Sequence, residues 1–294
     1  MTYQEFLSEL SKEVSRRLPG EFRVTLRTVI KNNGVKFTGM SVRKEGETLS
    51  KSPVIYPERL YREFNEELTM EEIAEEAARA LLTPVPSGIS EKSLCDPEYV
   101  RTHIVLKLLG KENNEEYLKD AVTEDWLDLA LCYGVLLPDN DAPGGMVMLT
   151  KGLAEEAGLS GEEIRPLALE NTKALFGDTL RSIDQVLFSE YGEDIACPEG
   201  ESMYVLSNRQ NWYGAAAILY TDKVRELAER EGMDLYILPS SIHELILTPK
   251  KDKSDDALKE IIREVNDMEK SREEILTDSL YLYSLEKDCV MLCC

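Results

Sequence analysis

Hydrophobic residues with the two-residue period of a strand alternate along this chain with hydrophobic residues at the 3.6-residue period of a helix. The clearest strand pattern covers residues 22–30, leads to Asn33-Gly34 and continues in a return strand that starts at Val35. An Asn-Gly pair supplies the positive φ angles that a tight hairpin turn requires. Because both periods recur, we predict an α+β fold in which antiparallel hairpins and sheets are covered by amphipathic helices.

An apolar hairpin followed by a helix with a polar or proline cap occurs three times in the sequence. The helix entries read VIYPERL at residues 54–60, VMLTKGL at 147–153 and AILYTDKV at 217–224. This pattern predicts repeated hairpin-helix units, but a shared origin stays open because helix entries resemble one another by chemistry alone. In the third unit, we expect the small apolar run from Gly214 to Tyr220 to form a central strand that is covered on both faces.

A second local pattern concerns the start of a helix near residue 160. Ser160 and Glu163 have the spacing of a capping box, but Pro166 would then lie in the helix interior. We therefore expect the helix to begin at about Pro166, as a first-turn proline, and to end at Phe176.

The run TPVPSG at residues 83–88 is the best linker candidate in the chain. It predicts an N-terminal helix-hairpin-helix unit at residues 1–86 and a main α+β domain at residues 87–294. A single compact unit is the alternative, since 294 residues suffice for either arrangement.

The charge balance restricts the classes of partner. The chain has 34 Lys and Arg against 56 Asp and Glu, a formal net charge of -22. Such a chain repels phosphate backbones and anionic lipid surfaces, which disfavours direct nucleic-acid binding and a membrane partner. No stretch approaches the roughly 20 apolar residues that cross a bilayer, and the N-terminus lacks a signal-peptide pattern. We expect a cytoplasmic protein.

Motifs for cofactors and metals are absent from the sequence. Neither G-x-x-x-x-G-K-[ST] nor G-x-G-x-x-G occurs, and HExxH is missing too. Cys289, Cys293 and Cys294 lack the second cysteine pair or the histidine that would complete a tetrahedral zinc site, so Cys289 is expected to be buried on a strand. We predict no cofactor and no metal site.

The stretch SNRQNWYGAAAILY at residues 207–220 contains the best candidate binding residues. A polar cluster precedes two large aromatic side chains of the kind that anchor interfaces. The alternative is that the two aromatic residues only cover the sheet. The candidate binding residues are Asn208, Arg209, Asn211, Trp212 and Tyr213.

The stretch SSIHE at residues 240–244 offers the only catalytic candidates. His243 could serve as a base, with Ser241 or Glu244 beside it, in a hydrolase or transferase of unfamiliar type. However, no Gly-x-Ser-x-Gly elbow exposes the hydroxyl group. The competing interpretation is that these side chains bond the backbone of their own turn.

Several phrases, in their order along the chain, carry a resemblance to a known family. They include VIKNNGVKFTGMSVRKEG, LDLALCYGVLL, LALENTKALF, SNRQNWYGAAAILY, LYILPSSIHELILTP and ILTDSLYLY. Together they resemble a bacterial domain-of-unknown-function family, number 5688. The resemblance covers nearly the whole chain and implies one family unit. It carries no known activity, so it assigns no catalytic residue.

Three functional hypotheses follow. The leading one is a non-enzymatic cytoplasmic binding or adaptor protein with another protein as its partner, because no catalytic set is assembled in this acidic chain. The second is the hydrolase or transferase that uses His243. The third is an acidic surface that mimics nucleic acid and occupies a basic partner.

Overall fold

The computed structural model describes residues 1–45, 53–66, 68–83, 94, 96–137, 145–191, 202–251, 254–269 and 271–293. The chain divides into two compact units, Met1–Lys31 with Val35–Ser90 and Asn32–Gly34 with Glu91–Cys294. The predicted boundary between residues 86 and 87 lies outside the described residues and stays a prediction.

In its described residues, the first unit combines a two-stranded antiparallel sheet with three helices. The two strands pair without a register shift from Phe22↔Lys44 to Ile30↔Lys36. The elements are α1 (Tyr3–Arg17), β1 (Phe22–Ile30), β2 (Lys36–Lys44), α2 (Pro57–Glu66) and α3 (Met70–Leu82).

Local chemistry explains where the first unit's elements begin. The Thr2 hydroxyl caps α1 and Glu5 bonds back to the Thr2 backbone, which completes a capping box. Asn33 and Gly34 adopt φ angles of 59° and 65°, as the hairpin turn requires. The apolar stripe of α1, which includes Phe6 and Leu10, is fully buried and forms one core with residues of α3.

The described part of the second unit contains two larger antiparallel sheets. One has the strand order β3-β5-β4 with β6 paired to β5, and the other has the order β12-β11-β9-β10-β8-β7. The strands are β3 (Ile104–Gly110), β4 (Thr123–Trp126), β5 (Leu129–Leu136), β6 (Met146–Met148), β7 (Thr179–Ser182), β8 (Tyr204–Ser207), β9 (Leu235–Ser241), β10 (Glu244–Pro249), β11 (Tyr281–Ser284) and β12 (Cys289–Leu292).

Helices cover these sheets, which confirms the predicted α+β class. Every residue of β3 and β5 is buried, so that both strands lie in the main core. Short 3₁₀ segments occupy Asn32–Gly34, Gly214–Leu219 and Arg272–Glu274. The α-helices are α4 (Pro97–His103), α5 (Glu115–Leu118), α6 (Lys151–Glu156), α7 (Gly161–Phe176), α8 (Ile183–Tyr191), α9 (Lys223–Glu231) and α10 (Asp255–Met268).

The prediction of a central strand at Gly214 to Tyr220 is wrong. Gly214–Leu219 form a 3₁₀ helix, entered through Tyr213 in the left-handed region at φ 51°. Gly214 lies against Ser207 and His243 so closely that only a residue without a Cβ fits, and Ala215, Ala216 and Ala217 are buried behind it. The third predicted hairpin-helix unit therefore lacks its return strand, because a small apolar run packs equally well as a short helix.

Two further expectations are corrected. Helix α7 begins at Gly161 with the Ser160–Glu163 capping box formed, and Pro166 lies inside it. Pro166 lies close to the N-terminus, so it removes only the hydrogen bond to the Glu162 carbonyl, and the capping box offsets that loss. Cys289 is on β12 as expected, but its side chain is exposed and not buried.

No helix in the described ranges is long and apolar enough to cross a membrane.

Candidate functional site

Asn208 is buried, and its side chain holds the loop that follows β8 through hydrogen bonds to the loop backbone. Its side chain is 2% exposed. The amide oxygen accepts hydrogen bonds from the backbone N–H groups of Gln210 at 3.0 Å and Trp212 at 3.3 Å, and the amide nitrogen donates to the Trp212 carbonyl at 2.8 Å. Asn208 thus bonds the loop itself and is not presented to solvent.

The other predicted binding residues of this loop divide between surface and core. Arg209 and Asn211 are exposed, and Asn211 adopts a φ of 49°. The Trp212 ring packs edge-on against Phe176 with 6.1 Å between centroids and lies 5.0 Å from the Tyr213 ring. Trp212 therefore covers the core in the way that the alternative interpretation predicts, and the binding role of these residues stays a prediction.

The structure brings Tyr213 and His243 together, although 30 residues separate them in sequence. The Tyr213 backbone N–H donates to His243 Nδ1 at 3.0 Å, and the Ser207 hydroxyl donates to the His243 carbonyl at 2.8 Å. Because Nδ1 accepts, the neutral imidazole carries its proton on Nε2. Burial lowers the pKa of His243, and the charges of Glu274 and Glu244 oppose that shift.

Ser241 and Glu244 make other contacts than those of a nucleophile–base pair. The Ser241 hydroxyl oxygen accepts from the His243 backbone N–H at 3.0 Å, and the Ser240 hydroxyl donates to Glu244 at 3.1 Å. None of these bonds involves the imidazole ring. The arrangement matches the turn-bonding interpretation, and the catalytic alternative stays a prediction.

A buried lysine that sequence reasoning missed lies beside Tyr213. Lys107 is 4% exposed on β3, and its Nζ lies 4.9 Å from the Tyr213 ring centroid and 5.4 Å from that of Tyr117. Its cross-strand neighbour is Cys132, whose pKa is raised by burial to about 12. The signal in the sequence was a single lysine in the otherwise apolar run IVLKLLG. We call Lys107, Tyr117, Tyr213 and His243 the His243 cluster.

A second feature, which we call the polar pocket, is a cavity of about 610 Å³ in the second unit. Its walls come from the end of β3, the turn before β5, the end of α10 and the segment that leads to β11. The lining residues are Asn33, Gly110, Lys111, Glu112, Asn113, Asp128, Asn266, Asp267, Arg272, Ile275, Leu276, Thr277, Asp278 and Ser279.

Asp128 is held in place by two hydroxyl groups. The Tyr281 hydroxyl donates to one carboxylate oxygen at 2.6 Å and the Thr277 hydroxyl donates to the other at 3.2 Å. Burial, together with this bond and the Asp128 charge, raises the pKa of Tyr281, which keeps the phenol protonated as a donor. Asp128 is therefore a fixed carboxylate in the pocket wall.

Asparagine side chains fix the opposite walls. Asn33 donates to the carbonyls of Arg272 at 2.8 Å and Ile275 at 2.7 Å. Asn266, which is 8% exposed, donates to Asp278 at 2.7 Å and to the Thr277 carbonyl at 3.2 Å. Because amide groups bridge the segments on both sides, the cavity is formed before any ligand enters.

Negative charge predominates around the polar pocket. Glu112, Asp128, Asp267 and Asp278 contribute carboxylates, against the basic groups of Lys111 and Arg272. Lys111 is occupied by an ion pair with Asp125 at 2.9 Å and by the Leu127 carbonyl at 3.2 Å. In the described part of the chain, no group of three His, Cys, Asp or Glu side chains is arranged to hold a metal ion.

Comparison with known protein families gives a match over nearly the whole chain. The model of DUF5688, a family of unknown function, matches residues 3–285 of the 294-residue chain. No curated protein and no solved structure matches this chain. The family match confirms the resemblance predicted from the order of the sequence motifs.

Proposed function

Since the chain belongs to DUF5688, a family of unknown function, we propose its function from the polar pocket: the protein binds a small, polar, amine-bearing molecule without chemical change. The observation that carries the proposal is a cavity of about 610 Å³ whose carboxylate and amide groups are held in place by internal hydrogen bonds. This volume lies within the range of about 300–1,000 Å³ that is usual for small-molecule sites.

The lining chemistry favours a cationic or zwitterionic amine over an anion. Asp128 faces the cavity as a carboxylate whose two hydroxyl partners bond it without neutralising it. Asp267 and Asp278 add exposed carboxylates at the rim. A ligand ammonium group would therefore gain charge-assisted hydrogen bonds, whereas a carboxylate ligand would be repelled.

The contacts of His243 support binding in preference to hydrolysis. Its Nδ1 is occupied by the Tyr213 backbone N–H, and the Ser241 hydroxyl oxygen is occupied by the His243 backbone N–H. A general base must reach the proton that it removes, and no such pair forms between these side chains.

The first test is calorimetric titration of the full chain with 1,4-diaminobutane, ethanolamine and lysine, and with succinate as an anion of similar size. We expect binding of at least one amine and none of succinate. Asp267→Asn should weaken amine binding about threefold, because an exposed carboxylate contributes less than 1 kcal/mol.

The matched control is Glu264→Gln, which removes one exposed carboxylate from the same helix without touching the pocket. We expect this variant to bind the amine as the parent chain does. Equal weakening by both variants would indicate a general charge effect, and binding of succinate alone would contradict the proposal.

A further inference from the structure

The outer edge of β1 carries unpaired backbone groups. The bonds from Lys31 N to Val35 O and from Glu45 N to Glu21 O, both 2.8 Å, flank the β1–β2 ladder and set which residues bond across it. The residues of β1 with odd numbers, such as Arg23, Thr25 and Arg27, then bond to β2. Val24, Leu26 and Thr28 therefore point their N–H and C=O groups away from β2, and within the described residues these groups have no hydrogen-bond partner.

The outer edge of β2 differs, because backbone groups at its centre are occupied. Met40 exchanges two hydrogen bonds of 2.9 Å with Ile55, and the Thr38 N–H donates to Glu58 at 2.6 Å. Among the described residues, the hairpin thus offers an open edge on β1 from Val24 to Thr28, beyond Phe22, whose N–H donates to the Pro19 carbonyl at 2.9 Å. Such an edge is a template for another strand unless it is short, kinked or covered.

A groove of about 470 Å³ runs beside the open edge, between β1 and α1. Leu26 is 41% exposed there, and the Ser11 hydroxyl is buried without a hydrogen-bond partner. The groove is lined by Ser11, Lys12, Ser15, Arg16, Val24 and Leu26.

The groove is basic in a chain of net charge -22. Lys12 pairs with Glu9 at 3.4 Å and Arg16 pairs with Glu13, but the Lys12 and Arg16 side chains are 61% and 70% exposed. Exposed ion pairs of this kind contribute little, so both cations can exchange their partners for those of a ligand.

We propose that this groove binds an extended acidic peptide of another protein, which adds to β1 as a third strand. The backbone of the peptide bonds Val24, Leu26 and Thr28, an apolar side chain covers Leu26, and acidic side chains reach Lys12 and Arg16. A second copy of this chain fits less well, because antiparallel pairing of β1 with itself about Thr25 places Arg23 of each copy opposite Arg27 of the other. The proposal concerns the first unit and does not rest on the polar pocket.

The probe is a labelled ten-residue peptide of alternating glutamate and valine, and its binding to the full chain is measured by fluorescence anisotropy. We expect the peptide to bind, its lysine-valine counterpart not to bind, and alternate backbone N-methylation of the glutamate peptide to weaken binding at least tenfold. Amide exchange of Leu26 and Thr28 should slow in the complex.

Leu26→Pro tests the edge in the protein. Proline removes an N–H that points away from β2, so the β1–β2 ladder keeps its hydrogen bonds. The control is Leu26→Thr, which also loses the leucine side chain but keeps the N–H. We expect Leu26→Pro to lose at least ten times more affinity than Leu26→Thr. Lys12→Glu with Arg16→Glu should also weaken binding about tenfold, whereas Lys44→Glu, outside the groove, should not.

Three results would overturn the proposal. They are equal binding of the N-methylated peptide, tighter binding of the lysine-valine peptide, or protection of Leu26 and Thr28 that depends only on protein concentration. The last result would identify a second copy of this chain as the occupant. The N-methylated peptide keeps the test decisive even if Leu26→Pro fails to fold.

Discussion

The His243 cluster and the polar pocket both collect polar side chains from distant parts of the second unit, but they differ in what those side chains bond. In the His243 cluster, the polar groups bond one another: the backbone N–H of Tyr213, in the loop after β8, donates to His243 Nδ1. In the second, hydrogen bonds from Tyr281 and Thr277 fix Asp128 in the wall of an open cavity. Mutual bonding stabilises a fold, whereas fixed charge around a cavity is suited to a ligand. Substitutions in the two regions should separate stability from affinity.

The largest effect is expected at Gly214, behind the His243 cluster. A Cβ there would overlap the Ser207 hydroxyl and the His243 carbonyl oxygen and would lie 2.9 Å from Asn208 N. Gly214→Ala should therefore lower the free energy of unfolding by about 3 kcal/mol in urea denaturation. Gly152→Ala is the control, since its Cβ would meet nothing within 4 Å, and it should be neutral or slightly stabilising. Equal stability of both variants would show that the segment repacks freely.

Asn208→Ala should have the next largest effect on stability. The substitution removes three hydrogen bonds and leaves backbone groups of Gln210 and Trp212 without partners, at a cost of about 2 kcal/mol. Amine binding in the polar pocket should stay unchanged. Chemical denaturation and calorimetric titration of the same preparation measure both quantities, and a loss of amine affinity would remove the distinction between the two regions.

Asp128→Asn should lower amine affinity and change stability little, which is the opposite of the effect expected for Asn208→Ala. Asparagine keeps an oxygen that can accept from Tyr281 but removes the charge, so amine affinity should fall about tenfold, or about 1.4 kcal/mol. The unfolding free energy should change by less than that amount. Unchanged affinity in calorimetric titration would place the amine elsewhere.

The smallest effect concerns the pH dependence of stability. Burial lowers the pKa of His243 below its ordinary 6.5. Just below pH 6.5, the unfolded chain therefore binds a proton at His243 that the folded chain does not. The contribution of neutral His243 is complete above pH 6.5 and is lost as the pH falls below it. His243→Asn, which keeps an acceptor for the Tyr213 N–H, should make the unfolding free energy fall less steeply as the pH drops below 6.5. An unchanged slope would show that other groups titrate there.

Local chemistry made the elements of the first unit predictable from sequence. Asn33 and Gly34 require the turn that they form, and the Thr2–Glu5 pair marks the start of α1 by itself. The run from Gly214 to Leu219 could not be predicted in this way, because its conformation depends on how closely it approaches Ser207 and His243.

The candidate sites were predictable only in part. Sequence reasoning selected Tyr213 and His243 separately, but their contact and the neighbouring Lys107 depend on tertiary structure. The polar pocket gave no sequence signal, since Asn33 and Ile275 are 242 residues apart along the chain. Polar residues this far apart have no periodicity or spacing that would identify them as one site.

The membership of Asn32–Gly34 in the second unit has a consequence for dividing the chain. A shortened chain that starts at Glu91 would lack these three residues, and Asn114 would lose its amide partners Asn32 and Asn33. During synthesis, the turn emerges from the ribosome long before the carbonyl groups of Glu273 and Ile275 that Asn32 bonds. We therefore expect the polar pocket to be one of the last parts of the protein to form, and the second unit to be recovered in folded form only from chains that also carry the hairpin.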